Sequence, residues 1–390
     1  MIIPGLVAAG ILVVLLLLQI LTAALIVFRL RLADKTPRRS APTEFVSVIV
    51  SIVGLDTFET EVALSALNIA ARHVEIIYCA FDGNDPSVAR VQAELAKRPD
   101  VNARILIGRE HTTPNPKLDN IEKAFAAAYG DLLLCIDGNV DVPPDLLEQL
   151  MAVWDEETAV ASAVPIGLRP DNLAADVECA FLNTFYARWQ LAGDQLGAGF
   201  AQGKVLMFRR SFVERCGGFS CLQLELAEDS ATTKLARGAG KAVRLIRRPI
   251  GLPLGRRQLR DVWDRNRRWA QYRRQAFPIL FTAEVFTSPI LPAVAGALTG
   301  TAFGWPMAAT AVIILFGCYG IEAALACAVN WPFRLRSFLA CLIRDLMLLA
   351  IWPMTLLQTR YVWRGAVVDI DEWRRMQRKL AQSIGPRKKR

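Results

Sequence analysis

An α/β, doubly wound domain carried between N-terminal and C-terminal transmembrane helices is the fold class that this sequence predicts. Two observations predict it. Between Pro42 and Gln275, near-continuous apolar runs alternate with segments of helical periodicity, as buried parallel strands joined by helical crossovers require. On either side of that region the chain is apolar over lengths that suit a bilayer.

Residues 2–28 are apolar, interrupted by Pro4, Gln19 and Thr22. At about 1.5 Å rise per residue such a helix crosses a hydrocarbon core of roughly 30 Å. It is too long for a cleaved signal peptide, and no basic residue precedes it. Arg29, Arg31, Lys35, Arg38 and Arg39 follow, and the positive-inside rule assigns them, with the central region, to the cytosol. Strands are expected at 45–53, 74–80, 103–107, 132–136 and 158–164, with helices at 60–72, 86–97 and 118–129 between them. After Pro278, spans are expected at 285–304 and 308–329, separated by Gly304-Trp305-Pro306. A third apolar stretch, 338–357, holds Arg344, Asp345 and Pro353. It reads either as a span with a buried ion pair or as an interfacial or re-entrant helix. The basic tail, with Arg374, Arg375, Arg378, Lys379 and 387–390, belongs in the cytosol by the same rule and favours the re-entrant reading. The expected division is an anchor and linker at 1–40, a cytosolic domain at 41–277, membrane segments at 278–358 and a tail at 359–390.

The composition, 53% hydrophobic with a net charge of +9, exceeds that of an ordinary soluble domain in apolar content. The basic residues cluster where membrane segments meet the cytosol, which points to anionic lipids and away from nucleic acid. Cys79, Cys135, Cys179, Cys216 and Cys221 have no C-x-x-C spacing and lie mostly in apolar runs, so they read as reduced, buried thiols. His73 and His111 lack partners for a metal site.

Polar clusters follow three of the strands: Gly54-Leu55-Asp56, then 81–86 with Asp82 and Asp85, then 137–141 with Asp137 and Asn139. Ligands of doubly wound sheets bind at such strand ends. Asp82 and Asp85 lie in D-G-N-D-P, an ordinary turn signal, but a carboxylate at a strand end can accept hydrogen bonds from a uracil or ribose edge. Asp137 and Asn139 offer hard oxygens suited to Mg²⁺ or Mn²⁺ bridging a diphosphate, or simply end a strand in a turn. Lys117, in N-P-K at a helix entrance, supplies either a point charge for a phosphate or a solvated ammonium. The stretch 197–203, with Gly199 and Gly203, allows backbone amides close to a sugar or phosphate, or makes a bend before a strand. Of Glu228 and Asp229, one can cap the following helix. An inverting glycosyl transfer needs a carboxylate there to take the acceptor's proton. Arg265, Arg268 and Trp269 share one helical face at i, i+3 and i+4, beside Trp263, Tyr272, Arg273 and Arg274. They read as compensation for a departing diphosphate, as an amphipathic helix on lipid, or as both.

Taken in order, D-G-N-D-P (82–86), N-P-K-L-D-N (115–120), D-G-N (137–139), G-A-G-F-A-Q-G (197–203), A-E-D (227–229) and R-N-R-R-W (265–269) resemble the ceramide glucosyltransferase family of GT-A type enzymes. The resemblance implies a GT-A domain, a UDP-glucose or UDP-galactose donor, a divalent cation, and a lipid hydroxyl acceptor such as ceramide or diacylglycerol. It also implies a multi-pass place in a bacterial inner membrane. On that likeness Asp82 and Asp137 match the first two aspartates of the family's D, D, D, (Q/R)-x-x-R-W pattern, and Asp229 matches the third, the base. Arg265, Arg268 and Trp269 match the closing motif. Gly54, Asp56, Asp85, Lys117, Gly199, Gly203 and Glu228 join the substrate-binding set, and Asp137 and Asn139 the metal set. Many family-2-type relatives carry D-x-D where this chain has Asn139. A hopanoid acceptor is an alternative, as is a processive polysaccharide synthase, which would need more C-terminal spans to build a channel. A non-catalytic scaffold would be expected to have lost one of the three aspartates.

Overall fold

The run VSVIVS is buried along its length, and β-branched residues packed on both faces favour an extended chain. In the computed structural model, which describes residues 2–33, 42–52, 59–108, 116–363 and 366–384, this run is strand β1 (Val46–Ser51). It lies parallel between β2 (Val74–Ala80) and β4 (Leu132–Asp137), and β3 (Ala103–Ile107) extends the sheet parallel to β2. Beyond β4 the order departs from the expected parallel series. Strand Val205–Arg209 pairs antiparallel with β4, Thr158–Ser162 pairs antiparallel with that strand, and Ala242–Leu245 completes the seven-stranded sheet. Apolar periodicity reports how each run is buried, not which run it hydrogen-bonds to, so this insertion left no mark in the pattern. The helix expected at 60–72 is shorter, Glu59–Leu64, and tightens into a 3₁₀ turn at Ser65–Ile69.

Ser51 is in register with Cys79 on one side and Asp137 on the other. The carboxyl ends of β2, β1 and β4 therefore share one edge. Asn120 stitches that edge together, donating from Nδ2 to Ser51 Oγ at 3.0 Å and to the Cys79 carbonyl at 2.8 Å. Helix Pro116–Ala127 buries Leu118, Ile121 and Ala124, three apart on one face, in the core that holds Ile77, Leu133 and Cys135. All eight cysteines are free thiols, and burial pushes Cys79 and Cys135 up to about 12, so they remain protonated and inert.

The chain divides into two units. Residues 36–166, 193–255 and 359–390 form the one that contains the sheet, and residues 1–35, 167–192 and 256–358 form the other. In the second unit three helices among the described residues are long and apolar enough to cross a membrane: Ile3–Leu32, Met307–Ala328 and Ser337–Leu357. The segment between Pro278 and Ala302, expected to contain a simple span, is instead two helices bent by 51° at Ser288-Pro289. Proline lacks the amide that would continue the ladder. Gln19 donates to the Thr287 carbonyl at 3.0 Å, satisfying an oxygen freed at the break. Residues 338–357, which the basic tail marks as re-entrant in the sequence reading, lie in one continuous helix, and the bent element is the one between Pro278 and Ala302. Gly296 and Gly300, four apart, face Ile314 and Thr310 so closely that an added Cβ would collide with each, the small-residue contact by which membrane helices approach.

Arg344 and Asp345 are fully buried, and the ion pair expected from sequence is a triad. The Arg344 guanidinium forks onto Glu322 at 2.7 and 3.0 Å and onto Asp345 at 2.9 and 3.0 Å. Tyr319 donates to Asp345 at 2.9 Å, and Thr184 donates to Glu322 at 2.5 Å.

Candidate active site

In the sheet-containing unit, six of the residues singled out by sequence converge beyond the end of β4. Lys117, on the first turn of helix Pro116–Ala127, reaches the Asp137 carboxylate at 2.7 Å, the Gly203 carbonyl at 2.6 Å, and Glu228. Asp137 closes β4, so its side chain leaves the sheet at the ligand-binding edge. Lys204, which the sequence reading did not single out, donates to Asp137 Oδ2 at 2.8 Å and to Asn139 Oδ1 at 2.9 Å. Its only sequence signal was a lone basic residue between the glycine-rich stretch and an apolar strand.

Glu228 and Asp229 open helix Glu228–Gly238, whose N-cap position is Ala227, with no side-chain cap. Asp229 is therefore not the N-cap residue of this helix. Its Oδ2 accepts from the Gly203 amide at 3.1 Å and its Oδ1 from the Ser230 amide at 2.6 Å. Gly203 is tightly constrained: a Cβ there would lie 2.9 Å from Glu228 Oε1, 3.3 Å from Lys117 Nζ and 3.4 Å from Asp229 Oδ2. Gly199 packs against the Val243 carbonyl, where a side chain would also collide. The glycine-rich stretch is thus the surface against which the two carboxylates are set.

Charge is distributed unequally over this cluster. Burial alone would raise the Asp137 carboxyl, but Lys117 and Lys204 hold it well below the usual carboxylate range. Burial opposes the Lys117 charge, yet Asp137 and Glu228 keep its ammonium protonated far above neutrality. Asp229 goes the other way: burial first, and the neighbouring Glu228 second, push it up to about 6. A carboxylate with a pKa near neutrality can exchange a proton in the physiological range.

The remaining sequence candidates are dispersed. Asp82 is exposed in its turn, accepting from the Asn84 amide at 2.9 Å. It follows β2, two strands from Asp137, or about 10 Å at the usual strand spacing. Asp85 caps helix Pro86–Leu95, accepting from the Ser87 amide at 2.9 Å. Gly54, Asp56, Asn115 and His111 lie outside the described residues.

In the second unit, Arg265, Arg268 and Trp269 are half-buried on helix Leu259–Ala276. Arg265 pairs with Glu178, which is 2% exposed and also meets Arg257 at 3.3 Å. Glu178 lies on helix Leu173–Cys179, some 90 positions earlier in the chain, and sequence reasoning missed it. The Trp269 ring meets Tyr186 edge-on, with centroids 6.0 Å apart, and the Tyr186 hydroxyl donates to Asn266 at 2.9 Å. Arg273 forks onto Glu284 at 2.7 and 2.8 Å. Arg265 and Arg273 on this helix are therefore held by carboxylates of their own unit.

The oxygen pair on Asp137 and Asn139 suits a cation. Both oxygens are aimed at one positively charged atom, the Lys204 ammonium. Two hard oxygens so placed, completed by phosphate oxygens, are a donor set that Mg²⁺ or Mn²⁺ accepts. Among the described residues no group of three or more His, Cys, Asp or Glu forms a self-sufficient metal site.

Residues 11–376 match glycosyl transferase family 21. Ceramide glucosyltransferase 1 of Caenorhabditis elegans is 27% identical over 241 residues, covering 61% of this chain and 52% of that protein. A ceramide glucosyltransferase of Komagataella phaffii is 28% identical over 244 residues, covering 53% and 47%. The chain thus spans about half the length of these relatives. Among solved structures, a mannosyltransferase from Pyrobaculum calidifontis in complex with GDP-Man and Mn²⁺ superposes with a TM-score of 0.53 at 17% identity. That match covers 90% of this chain and 99% of that one, and shows a shared fold.

Proposed function

The chain belongs to glycosyl transferase family 21, and on that premise we propose that it is a membrane-anchored, inverting transferase moving a hexose from a UDP-sugar to a lipid hydroxyl. The single observation that carries this reading is the cluster of Lys117, Asp137, Glu228 and Asp229 at the carboxyl edge of the sheet. Asp229 is the base. The acceptor oxygen attacks the anomeric carbon in line, its proton passes to Asp229, and the bond to the diphosphate breaks with its electron pair leaving on UDP. Asp137 and Asn139 would hold a divalent cation, which when bound offsets charge on the leaving diphosphate. Lys117 adds a fixed positive charge, Asp82 serves the nucleoside end, and Arg265, Arg268 and Trp269 serve the leaving group. The sheet-containing unit is assigned to the cytosolic side of a bacterial inner membrane, facing anionic lipid.

Purified protein given labelled UDP-glucose or UDP-galactose with ceramide, diacylglycerol or a hopanoid should yield one labelled lipid on thin-layer separation. Labelled polymer would mean a processive synthase, and no labelled product with any pair would overturn the reading.

The acidic limb of the rate profile should report Asp229. The base works only when deprotonated, so turnover is present above about 6 and is lost as pH falls through that value. Glu228→Gln removes a charge that raises Asp229, so the limb should shift to lower pH; an unmoved limb would assign it to another group.

Arg268→Lys separates diphosphate contact from lipid attraction. A lysine keeps the charge but loses the planar multi-donor fork, so turnover should fall, by up to about 10²-fold, the lower range for losing one charge-stabilising donor. Vesicle binding should not change. Equal, negligible losses in Arg268→Lys and in Arg256→Lys, outside the motif, would leave only a membrane-surface helix.

A further inference from the structure

We propose that Lys204 is a tethered counter-ion that closes the cation site until a nucleotide arrives, so that a divalent ion binds this protein only together with a diphosphate. The proposal rests on the cation reading above and concerns the order in which that site fills. Both carboxylate oxygens of Asp137 are already engaged by ammonium groups, Lys117 on Oδ1 at 2.7 Å and Lys204 on Oδ2 at 2.8 Å. Lys204 also spans to Asn139 at 2.9 Å, and so stands at the point on which the two candidate ligands converge. A divalent ion cannot share that point with an ammonium, because both positive charges would compete for the same oxygens at contact distance.

The two lysines are not equally free to leave. Lys117 is held by three acceptors from three segments: Asp137, the Gly203 carbonyl and Glu228. Lys204 has Asp137 and Asn139 alone as side-chain partners among the described residues. Its backbone is anchored, since its carbonyl accepts from the Asp137 amide at 3.1 Å. Only the flexible side chain can move, and its ammonium stays within reach of the site when it does. A nucleoside diphosphate supplies what the exchange needs. Its oxygens complete the coordination of the incoming ion, and they give the displaced ammonium a new anionic partner. The divalent ion alone offers neither, so without nucleotide the tethered ammonium keeps the site.

The test is equilibrium dialysis of the full chain in detergent against Mn²⁺, with and without UDP, a design in which free Mn²⁺–UDP equilibrates on both sides. Wild type, Lys204→Met, Lys204→Arg and a distant control, Lys234→Met, are compared. Thermal melting confirms that each variant is folded. Wild type should retain about one Mn²⁺ per chain with UDP and bind Mn²⁺ at least about tenfold more weakly without it. Lys204→Met should bind Mn²⁺ without UDP, whereas Lys204→Arg and Lys234→Met should behave as wild type. Mn²⁺ binding by wild type without UDP that equals that of Lys204→Met would overturn the proposal and leave the cation reading standing. Retention of Mn²⁺ by none of the four, even with UDP, would overturn the cation reading and this proposal with it.

Discussion

Asp229→Asn should lower turnover by about 10²- to 10⁴-fold, the usual contribution of a general base, while binding of the nucleotide sugar persists. The amide keeps the carboxylate's shape and still accepts from the Gly203 amide, so the glycine-rich stretch stays in register with helix Glu228–Gly238. It cannot take a proton. Lys117 retains Asp137 and Glu228 as partners, so that part of the cluster is undisturbed. UDP binding measured calorimetrically, beside turnover under saturating donor, separates the two effects. Near-normal turnover would move the base to another group, with Glu228 the nearest candidate.

The largest stability effect is expected at Arg344. Its guanidinium forks onto both Glu322 and Asp345, all three side chains being fully buried. Arg344→Met leaves two carboxylates without that partner in an apolar bundle, a loss of about 3–5 kcal/mol against a total stability of about 5–15 kcal/mol. A large drop in melting temperature in detergent is therefore expected. Replacing all three together, with Glu322→Met and Asp345→Leu added, should not recover the loss, because the fully buried Arg188 guanidinium then loses both nearby carboxylates. Wild-type melting of the single variant would show that the triad does not support the bundle.

Some of the site could be read from the chain because its residues fall where a local rule places them. Asp137 and Asn139 follow directly on an apolar strand, and an aspartate ending a buried parallel strand emerges at the ligand edge. Asp229 stands at a helix start beside a second carboxylate, a pattern with two readings. The absence of a side-chain cap and the pKa near 6 favour proton transfer over capping. Asp85 resolves the other way, as the cap of its helix. Lys204 and Glu178 could not be found so. Each is a single charged residue whose partners lie 65 to 87 positions away, and no periodicity connects them.

The sequence by itself determined the α/β class, the strand runs expected at 45–53, 74–80, 103–107, 132–136 and 158–164, the apolar membrane segments and the family likeness. These follow from local composition and spacing, which act through burial and helical or extended repeat. Tertiary structure alone decided the antiparallel strand beside β4, the bend at Ser288-Pro289, the addition of Glu322 to the Arg344–Asp345 pair, and the occupation of the Asp137–Asn139 oxygens by Lys204. Each depends on which distant segments come together, and that is set by the free energy of packing the whole chain, to which no short stretch of sequence holds the key.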